Sequence, residues 1–260
     1  MVKERFILLT FDVEEFDIPL EYGIEINPEE QMRVGKIGLD SIDSILKDKD
    51  IECTLFTTAN FANHYPLQIA EYAQQHEIAS HTYFHSTFEK EDLKNSLDVL
   101  EKITSKKVTG LRMPRMKTID EDWIKDAGYL YNSSINPTWI PGRYNHFFTP
   151  RNYYKKDGLI TFPVSVTPNF RIPLFWLAFK NFPYAIFKSL AIQTLKRDGY
   201  LSLYFHPWEF TDLSNYQLPA MVKRKHGNEL LDQLNNFIVG LKSEGEFVSI
   251  QSFLKNKQMI

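Results

Sequence analysis

The sequence lacks the features that mark several classes of protein. Its single cysteine, Cys53, excludes an internal disulfide and a metal cluster built from cysteines, and a reducing compartment is the simplest fit. No uncharged apolar stretch reaches about 18 residues, so a transmembrane helix is excluded. Neither sign of charge is in large excess: 30 Lys+Arg and 33 Asp+Glu give a net charge of -3, which indicates no nucleic-acid partner.

The beginning of the chain also lacks the pattern of an export signal. The apolar run after Arg5 is too short for a signal-peptide core, and acidic residues follow it at once, so the cytoplasm is the expected location. What remains is ordinary globular composition, with 43% hydrophobic and 24% charged residues over 260 positions. This length allows a sizeable core, and we expect a single domain over residues 1–260.

Short apolar runs alternate with amphipathic stretches along the chain. The apolar runs predict strands over 5–11, 53–57, 78–80, 107–112, 129–134, 159–166, 200–205 and 247–250. Helical periodicity predicts helices over 29–48, 61–75, 89–104, 119–127, 183–197 and 228–243. The segment 135–160 has no period and is interpreted as a long loop with short strands. Repeated strand–helix alternation implies an α/β fold with a parallel sheet, either closed as a barrel or doubly wound.

Two acidic side chains lie at the end of the first predicted strand. Alternation along an extended chain puts Asp12 and Glu14 on the same side and points Glu15 away. Two carboxylates together at the mouth of a buried strand are costly unless a cation or a proton separates them. Taken alone, the motif is more typical of a solvated acidic turn.

Two histidines follow the third predicted strand. His81 and His85 have the spacing that lets two imidazoles on one face of a helical turn reach the same ion. Two histidines and a carboxylate are a common catalytic zinc set. A lone pair at this spacing arises often by chance, and by itself it favours a structural role roughly two times in three.

A third histidine ends a later strand. Pro207 favours extended geometry at His206, whose pKa near neutrality suits a general acid or base. Trp208 offers a flat face for a sugar ring, with simple core packing as the alternative. Arg112 lies at another strand end and could pair with Asp12, the alternative being a surface salt bridge.

Together and in this order, the motifs resemble those of the polysaccharide deacetylase family, carbohydrate esterase family 4. They read Thr-Phe-Asp at 10–12, His-Thr-x-x-His at 81–85, Arg-x-Pro at 112–114 and a strand ending in His206. The Asp-x-Glu and His-Pro-Trp-Glu stretches are similar to one branch of that family, although Asn132 stands where that branch has an acid. The resemblance implies a distorted (β/α) barrel with about seven parallel strands.

The resemblance also implies a cofactor. It assigns one divalent metal ion to Glu14, His81 and His85, with zinc as the first expectation and cobalt, nickel or iron as alternatives. Glu14 stands where the family more usually has an aspartate, and the longer side chain could alter how a metal sits.

Further roles come from the same resemblance. Asp12 is the implied base, His206 the implied acid that protonates the departing amine, and Arg112 the residue that orients Asp12. The backbone N–H of Arg115 is implied to face the developing oxyanion. Two residues, Pro114 and Trp208, are implied to border the substrate. The partner that orients His206 is not identified, and Glu209 is one candidate.

The implied activity is metal-dependent removal of an N-acetyl group from an amino sugar, with a small or lipid-linked saccharide fitting the expected location best. Two alternatives stay open: hydrolysis of another amide or a cyclic ureide on the same fold, and a catalytically silent saccharide-binding protein using Trp139, Trp176 and Trp208. Homo-oligomers are compatible with the sequence. The aromatic segment 170–192, with Lys180 and Lys188, could be an interfacial membrane patch, but core or subunit packing is favoured over it.

Overall fold

The structure is a computed structural model that describes residues 4–260, so the first three residues of the domain predicted over 1–260 lie outside the described part. The described strands are β1 Phe6–Val13, β2 Thr54–Thr57, β3 Glu77–Ser80, β4 Gly110–Leu111, β5 Tyr131–Asn132, β6 Trp139–Ile140, β7 Tyr144–Asn145, β8 Tyr154–Lys156, β9 Leu159–Thr161, β10 Tyr200–Phe205 and β11 Glu246–Phe247.

Helices connect most of these strands. They are α1 Ile18–Glu21, α2 Pro28–Ser41, α3 Asp43–Leu46, α4 Ala59–His64, α5 Pro66–Tyr72, α6 Glu91–Thr104, α7 Glu121–Ala127, α8 Trp176–Asn181, α9 Tyr184–Asp198, α10 Ala220–Lys223, α11 Gly227–Lys242 and α12 Ile250–Asn256. Two short 3₁₀ helices cover Pro114–Met116 and Pro207–Phe210.

The main sheet is curled and almost entirely parallel. Its strand order is β10-β1-β2-β3-β4-β5-β9-β8, and β11 also pairs with β1. Among the described strands of this sheet, β8 alone runs antiparallel to its neighbour, while β6 and β7 form a separate antiparallel pair. Beyond β9, the N–H of Ser165 donates to the carbonyl of Ser202 in β10 at 3.0 Å, which brings the two edges of the sheet together. The half-barrel confirms the predicted α/β barrel architecture.

Strand β1 explains why one end of the barrel is apolar and the other polar. Its eight residues are all buried, and alternate side chains point to opposite faces. Phe6 and Leu8 face the interior and join an apolar cluster that includes Phe253 of α12. Thr10 and Asp12 continue the same face toward the carboxyl end of the strand. The interior is therefore filled with hydrophobic side chains at one end and lined by polar groups at the other.

Helix α2 lies unusually close to the chain segments at this polar end. A Cβ atom on Gly35 would lie 2.5 Å from the carbonyl oxygen of Glu14, and one on Gly38 would lie 2.3 Å from that of Pro207. Only glycine allows a helix to approach another backbone this closely. The two glycines therefore let α2 pack directly behind the segments that carry Glu14 and His206.

Several predicted elements differ from the observed ones. The helix predicted over 29–48 is broken into α2 and α3, and the one over 61–75 is divided at Pro66, which starts α5 because proline cannot continue the preceding turn. The strand predicted over 247–250 ends at Phe247. Ser249 then caps α12, its hydroxyl accepting the N–H of Ser252 at 3.0 Å.

The favoured interpretation of 170–192 as core packing is confirmed for residues 174–180, 187 and 191, which are buried, whereas the other residues of the segment are partly or fully exposed. Trp176, Phe179 and Lys180 are all buried within the core, with relative exposures of 2%, 0% and 1%. Within residues 4–260, no helix is both long and apolar enough to cross a membrane.

Candidate active site

The predicted site residues meet at the carboxyl end of the parallel sheet. Parallel strands place their carboxyl ends at one edge, where α/β proteins usually bind ligands. A narrow cavity at this edge is lined by side chains from β1, from the loop after β3, from the 3₁₀ helix over 114–116 and from the end of β10. The predicted residues among them are Asp12, Glu14, His81, His85, Arg115, His206 and Trp208.

Glu14, His81 and His85 form a compact buried cluster. Their candidate ligand atoms all lie within 4.8 Å of one another. The Nε2 atoms of His81 and His85 lie 3.0 and 3.1 Å from the same oxygen, Oε2 of Glu14. The cluster is assembled by a loop and not by the helical turn expected for 81–85, because Thr82 has a left-handed φ of 64°.

The opposite nitrogens of both rings are fixed by acceptors. The Nδ1–H of His81 donates to the carbonyl oxygen of Arg112 at 2.7 Å, and the Nδ1–H of His85 donates to Oδ1 of Asp17 at 2.6 Å. These bonds place a proton on each Nδ1, so each Nε2, which faces Glu14, is the atom that can take a metal ion or a second proton. This is the arrangement in which outer groups orient metal-binding histidines.

The donor set fits a divalent metal ion. Oε2 of Glu14 and Nε2 of His81 are buried and have no hydrogen-bond partner among the described residues. A buried polar group without a partner costs roughly 1–3 kcal/mol, a cost that a bound cation would remove. Two imidazoles and a carboxylate leave a coordination position open, which suits catalytic zinc as well as cobalt, nickel or iron.

Charge in the cluster is strongly coupled. Burial alone would raise the pKa of Glu14, but the neighbouring His85, His206 and His81 hold it well below its usual range. Burial would lower the pKa of His85, but the carboxylates of Glu14 and Asp17 raise it to about 9. The site therefore favours positive charge beside Glu14, whether a proton or a metal ion supplies it.

Trp208 has a different environment from the exposed sugar platform that its sequence context suggested. Its side chain is only 1% exposed, and its indole Nε1–H donates to Oε1 of Glu14 at 3.0 Å. Its ring stacks on His206 with centroids 4.9 Å apart. A role in substrate binding stays a prediction, whereas its contacts with Glu14 and His206 are part of the structure.

Asp12 is held by a buried arginine. Nη1 of Arg112 donates to Oδ1 of Asp12 at 2.6 Å and to Oγ1 of Thr10 at 2.9 Å. The guanidinium also lies over the face of Phe56, 4.0 Å from its centroid, and Arg112 is fully buried. The alternative of a surface salt bridge for Arg112 is therefore wrong.

His206 lies across the cavity from this pair. Its Nε2 is 3.9 Å from Oδ2 of Asp12, and its Nδ1–H donates to Oε1 of Glu209 at 3.1 Å. Trp176 packs against the ring in a T-shaped contact, with centroids 5.0 Å apart and the ring planes at 86°. Glu209 is thus the partner that orients His206.

A buried lysine completes this arrangement. Nζ of Lys180 lies 2.8 Å from Oε2 of Glu209 and donates to the carbonyl of Val222 at 3.0 Å. Burial alone would raise the pKa of Glu209, but Lys180 and His206 lower it. Burial would lower the pKa of His206, yet Glu14, Glu209 and Asp12 raise it. Lys180 could not be found from sequence, because it lies on a separate helix with no motif.

Arg115 adopts a conformation that side chains rarely take. Its φ and ψ are 55° and 20°. The next two N–H groups bond within the 3₁₀ turn, but the Arg115 N–H has no hydrogen-bond acceptor among the described residues. Its side chain pairs with Asp17 at 2.9 Å and Glu21 at 2.6 Å. Asp17, which holds both Arg115 and His85, was not recognised in the sequence because it reads as one more acid in an acidic run. Pro114, which precedes Arg115, is buried.

Comparison with known proteins relates the chain to one family by sequence and to several solved structures by fold. A family model for polysaccharide deacetylases matches residues 2–131, half of the chain. No curated protein matches the sequence significantly.

Several solved structures have the same fold. A protein from Mycobacterium smegmatis assigned as a polysaccharide deacetylase is 17% identical, with a TM-score of 0.65 over 98% of this chain and 90% of that one. The Puue allantoinase is 16% identical, with a TM-score of 0.67 over 98% and 90%. A protein from Pseudomonas aeruginosa PAO1, also assigned as a polysaccharide deacetylase, is 14% identical, with a TM-score of 0.65 over 96% and 89%.

Proposed function

Since the chain belongs to the polysaccharide deacetylase family, we propose that it is a metal-dependent hydrolase that removes an N-acetyl group from an amino sugar. The observation that carries this proposal is the convergence of three buried ligand atoms, Oε2 of Glu14 and Nε2 of His81 and of His85, within 4.8 Å of one another in a cavity that Asp12 and His206 also line. One carboxylate and two imidazoles directed at a common point suit a single shared cation.

The metal would be held by Glu14, His81 and His85. When bound, a divalent ion would polarise the amide carbonyl and lower the pKa of water to about 7. The longer side chain of Glu14, compared with the usual aspartate, is compensated by the indole of Trp208, which fixes its second oxygen at 3.0 Å. The substitution is therefore compatible with ligation.

Asp12 and His206 would divide the proton transfers. Asp12 takes a proton from the attacking water, and Arg112 orients it through the 2.6 Å bond to Oδ1, leaving Oδ2 toward the cavity. His206 carries a proton on Nε2 as well as on Nδ1, because the carboxylates of Glu14, Glu209 and Asp12 raise its pKa and favour the imidazolium, which can protonate the departing nitrogen. The free N–H of Arg115 would donate to the oxygen on which negative charge develops.

A second candidate activity is hydrolysis of another amide or a cyclic ureide. The fold likeness to the Puue allantoinase favours keeping this alternative. Cleavage of any amide needs the same proton transfers, so Asp12 and His206 do not separate the two. A silent saccharide-binding protein is less well supported, because it needs neither the buried donor set nor the His206–Glu209 pair.

The test compares substrates and variants in one preparation. Protein stripped with a chelator and reloaded with Zn²⁺ is assayed for acetate release from N-acetylglucosamine oligomers and for hydrolysis of allantoin. Acetate release that depends on added metal is expected. His81→Ala should lose metal and activity together, whereas Asp12→Asn should keep the metal and lose turnover.

The matched control is His64→Ala, because His64 is an exposed histidine outside the site. It should behave as the unchanged protein. Allantoin hydrolysis without acetate release would replace the proposal by the second candidate. Full turnover in Asp12→Asn would show that the base has been assigned to the wrong residue.

A further inference from the structure

A second cavity adjoins the catalytic one. It is a groove of about 770 Å³ that shares Glu21, Arg115 and Arg143 with the lining of the catalytic cavity. The two cavities therefore meet at these three side chains. A ligand large enough to extend out of the catalytic cavity would enter this groove.

The walls of the groove are mainly apolar. The lining includes Leu177 and Ala178 from the start of α8, and Ile140 and Pro141 next to the β6–β7 turn. Met221 of α10 borders it and is 53% exposed. Such surface is costly to leave in water and marks a place where an apolar group binds.

Polar side chains are a minority in the lining of the groove: Glu21, Arg115 and Arg143 lie at its junction with the catalytic cavity, and Tyr22 and Asn181 are the others. The side-chain amide of Asn181 already donates to the carbonyls of Leu177 and Met221, at 2.9 and 2.8 Å. Sugars need several such donors and acceptors, because each hydroxyl that is buried without a partner costs free energy. The groove therefore suits a hydrocarbon chain better than further sugar units of a polymer.

The junction of the two cavities carries an available positive charge. Arg115 is already paired with Asp17 and Glu21. Arg143 has no acidic partner within residues 4–260, and its polar side-chain contact is from Nε to the hydroxyl of Tyr144 at 3.3 Å. A guanidinium in this position can bind a phosphate through two parallel hydrogen bonds.

We propose that this groove binds the hydrocarbon tail of the substrate, and that Arg143 binds an anionic phosphate joining the tail to the sugar. The substrate class is an N-acetylated sugar linked through phosphate to a lipid chain. The sugar part of this inference rests on the proposed function, whereas binding of the tail and phosphate does not.

Binding is tested without turnover. Dodecyl phosphate, below its micellar concentration, is titrated into the full-length protein by calorimetry. It should bind more tightly than inorganic phosphate alone or an uncharged dodecyl glycoside. Met221→Glu and Arg143→Gln should each weaken binding by at least about tenfold, since each removes one half of the amphiphile's contacts.

The matched control is Val239→Glu, which places the same charge on an apolar side chain that is 70% exposed and outside the groove. It should bind dodecyl phosphate as the unchanged protein does. No binding by the unchanged protein, or equal binding by Met221→Glu, overturns the inference.

Turnover then separates this inference from the proposed function. An N-acetylated sugar 1-phosphate and its dodecyl ester are compared, and the ratio of their kcat/KM values should favour the ester and fall toward one in Met221→Glu. Acetate release from soluble sugars without any binding of dodecyl phosphate would contradict lipid binding by the groove and support the hydrolase. Binding of dodecyl phosphate without acetate release from any sugar would support lipid binding by the groove and contradict the hydrolase.

Discussion

At the scale of single residues, the site depends on groups that hold the ligands as much as on the ligands. Trp208 fixes one oxygen of Glu14, Arg112 accepts from His81 through its carbonyl, and Asp17 accepts from His85. Each bond holds one atom of its side chain, so that Oε2 of Glu14 and Nε2 of the two histidines face one another. The geometry of the cluster is thus set by its neighbours before any ion binds.

Trp208→Phe removes the indole donor to Glu14 while keeping an aromatic ring in place. Loss of such a supporting bond typically weakens metal affinity by roughly 10–100-fold. We expect that weakening in a competition titration with a chromophoric zinc chelator. Trp176→Phe is the control, since Trp176 contacts His206 but makes no hydrogen bond to Glu14. Equal affinity in the Trp208→Phe variant would mean that the indole does not position Glu14.

The buried Lys180–Glu209 pair predicts a change in the pH dependence of activity. The carboxylates of Glu209, Glu14 and Asp12 raise the pKa of His206, so the acid form persists to higher pH and activity is lost as pH rises through that raised value. In the double variant Glu209→Gln/Lys180→Met, one of those carboxylates is gone. The alkaline limb of the kcat/KM profile should then move to lower pH, because less negative charge stabilises the imidazolium of His206.

The double variant is chosen to keep the fold. Removing both members of a buried pair is often neutral, whereas removing one leaves an unpaired buried charge and costs roughly 3–5 kcal/mol. Lys180→Met alone should therefore lower the free energy of unfolding by about that amount, as measured in urea. An alkaline limb that stays in place in the double variant would show that Glu209 does not set the pKa of His206.

Individual site residues were recoverable from sequence only where they belonged to a motif. Asp12, Glu14, His81, His85 and His206 lie next to strand ends and have recognisable spacing. Their supporting partners do not, because a hydrogen bond between distant chain segments leaves no periodic pattern. The pairing of Lys180 with Glu209 is the clearest example: the sequence assigns Lys180 no role at the site, yet its buried side chain lies 2.8 Å from Glu209.

At the scale of secondary-structure elements, the predicted strands and helices are present, but several strands are shorter than predicted; the one predicted over 159–166 covers only Leu159–Thr161. Continuous apolar runs identify buried parallel strands, and the predicted 200–205 coincides with β10. Residues 81–85 were harder, because their spacing is that of a helical turn whereas the chain turns through a left-handed Thr82. The imidazole rings of His81 and His85 do lie close together, as predicted, but a loop and not a helical turn brings them there.

Helix α2 gives a prediction at this scale. In Gly38→Ala the added Cβ would lie 2.3 Å from the carbonyl of Pro207, a rigid backbone atom next to His206. Overpacking of this kind costs roughly 1–3 kcal/mol. We expect a lower free energy of unfolding in urea and a lower kcat, because the segment carrying His206 must shift.

Gly240→Ala is the matched control for this substitution. The added Cβ in α11 meets only the flexible end of Lys188, at 2.6 Å from Nζ, and that end can move away. Alanine is favoured over glycine inside a helix by about 1 kcal/mol, so this variant should be neutral or slightly more stable. Equal behaviour of the two variants would argue against close packing of α2 as a determinant of the site.

At the scale of the whole molecule, the curled sheet brings together segments that are far apart in sequence. Parallel strands with helical crossovers place every carboxyl end at one edge, so the topology alone brings residues near positions 12, 81 and 206 together. This convergence followed from the predicted fold class alone. The apolar groove could not be predicted in this way. It is formed by α8, α10 and the β6–β7 hairpin, and the hairpin lies in the segment 135–160, whose sequence shows no periodicity.

Convergence around one ion also predicts how the metal affects global stability. Glu14 directly follows β1 and the two histidines lie in the loop after β3, so an ion held by all three binds the folded chain and not the unfolded one. At a free Zn²⁺ concentration of about 100 times the dissociation constant, the gain is roughly 2.7 kcal/mol. For a chain of this size that corresponds to a rise in Tm of about 5–10 °C, to be measured by differential scanning calorimetry with and without chelator. His81→Ala should abolish the rise and His64→Ala should keep it, because only the first side chain belongs to the cluster. A Tm that zinc leaves unchanged in the unmodified protein, at concentrations where it restores turnover, would mean that the three residues do not bind the ion together.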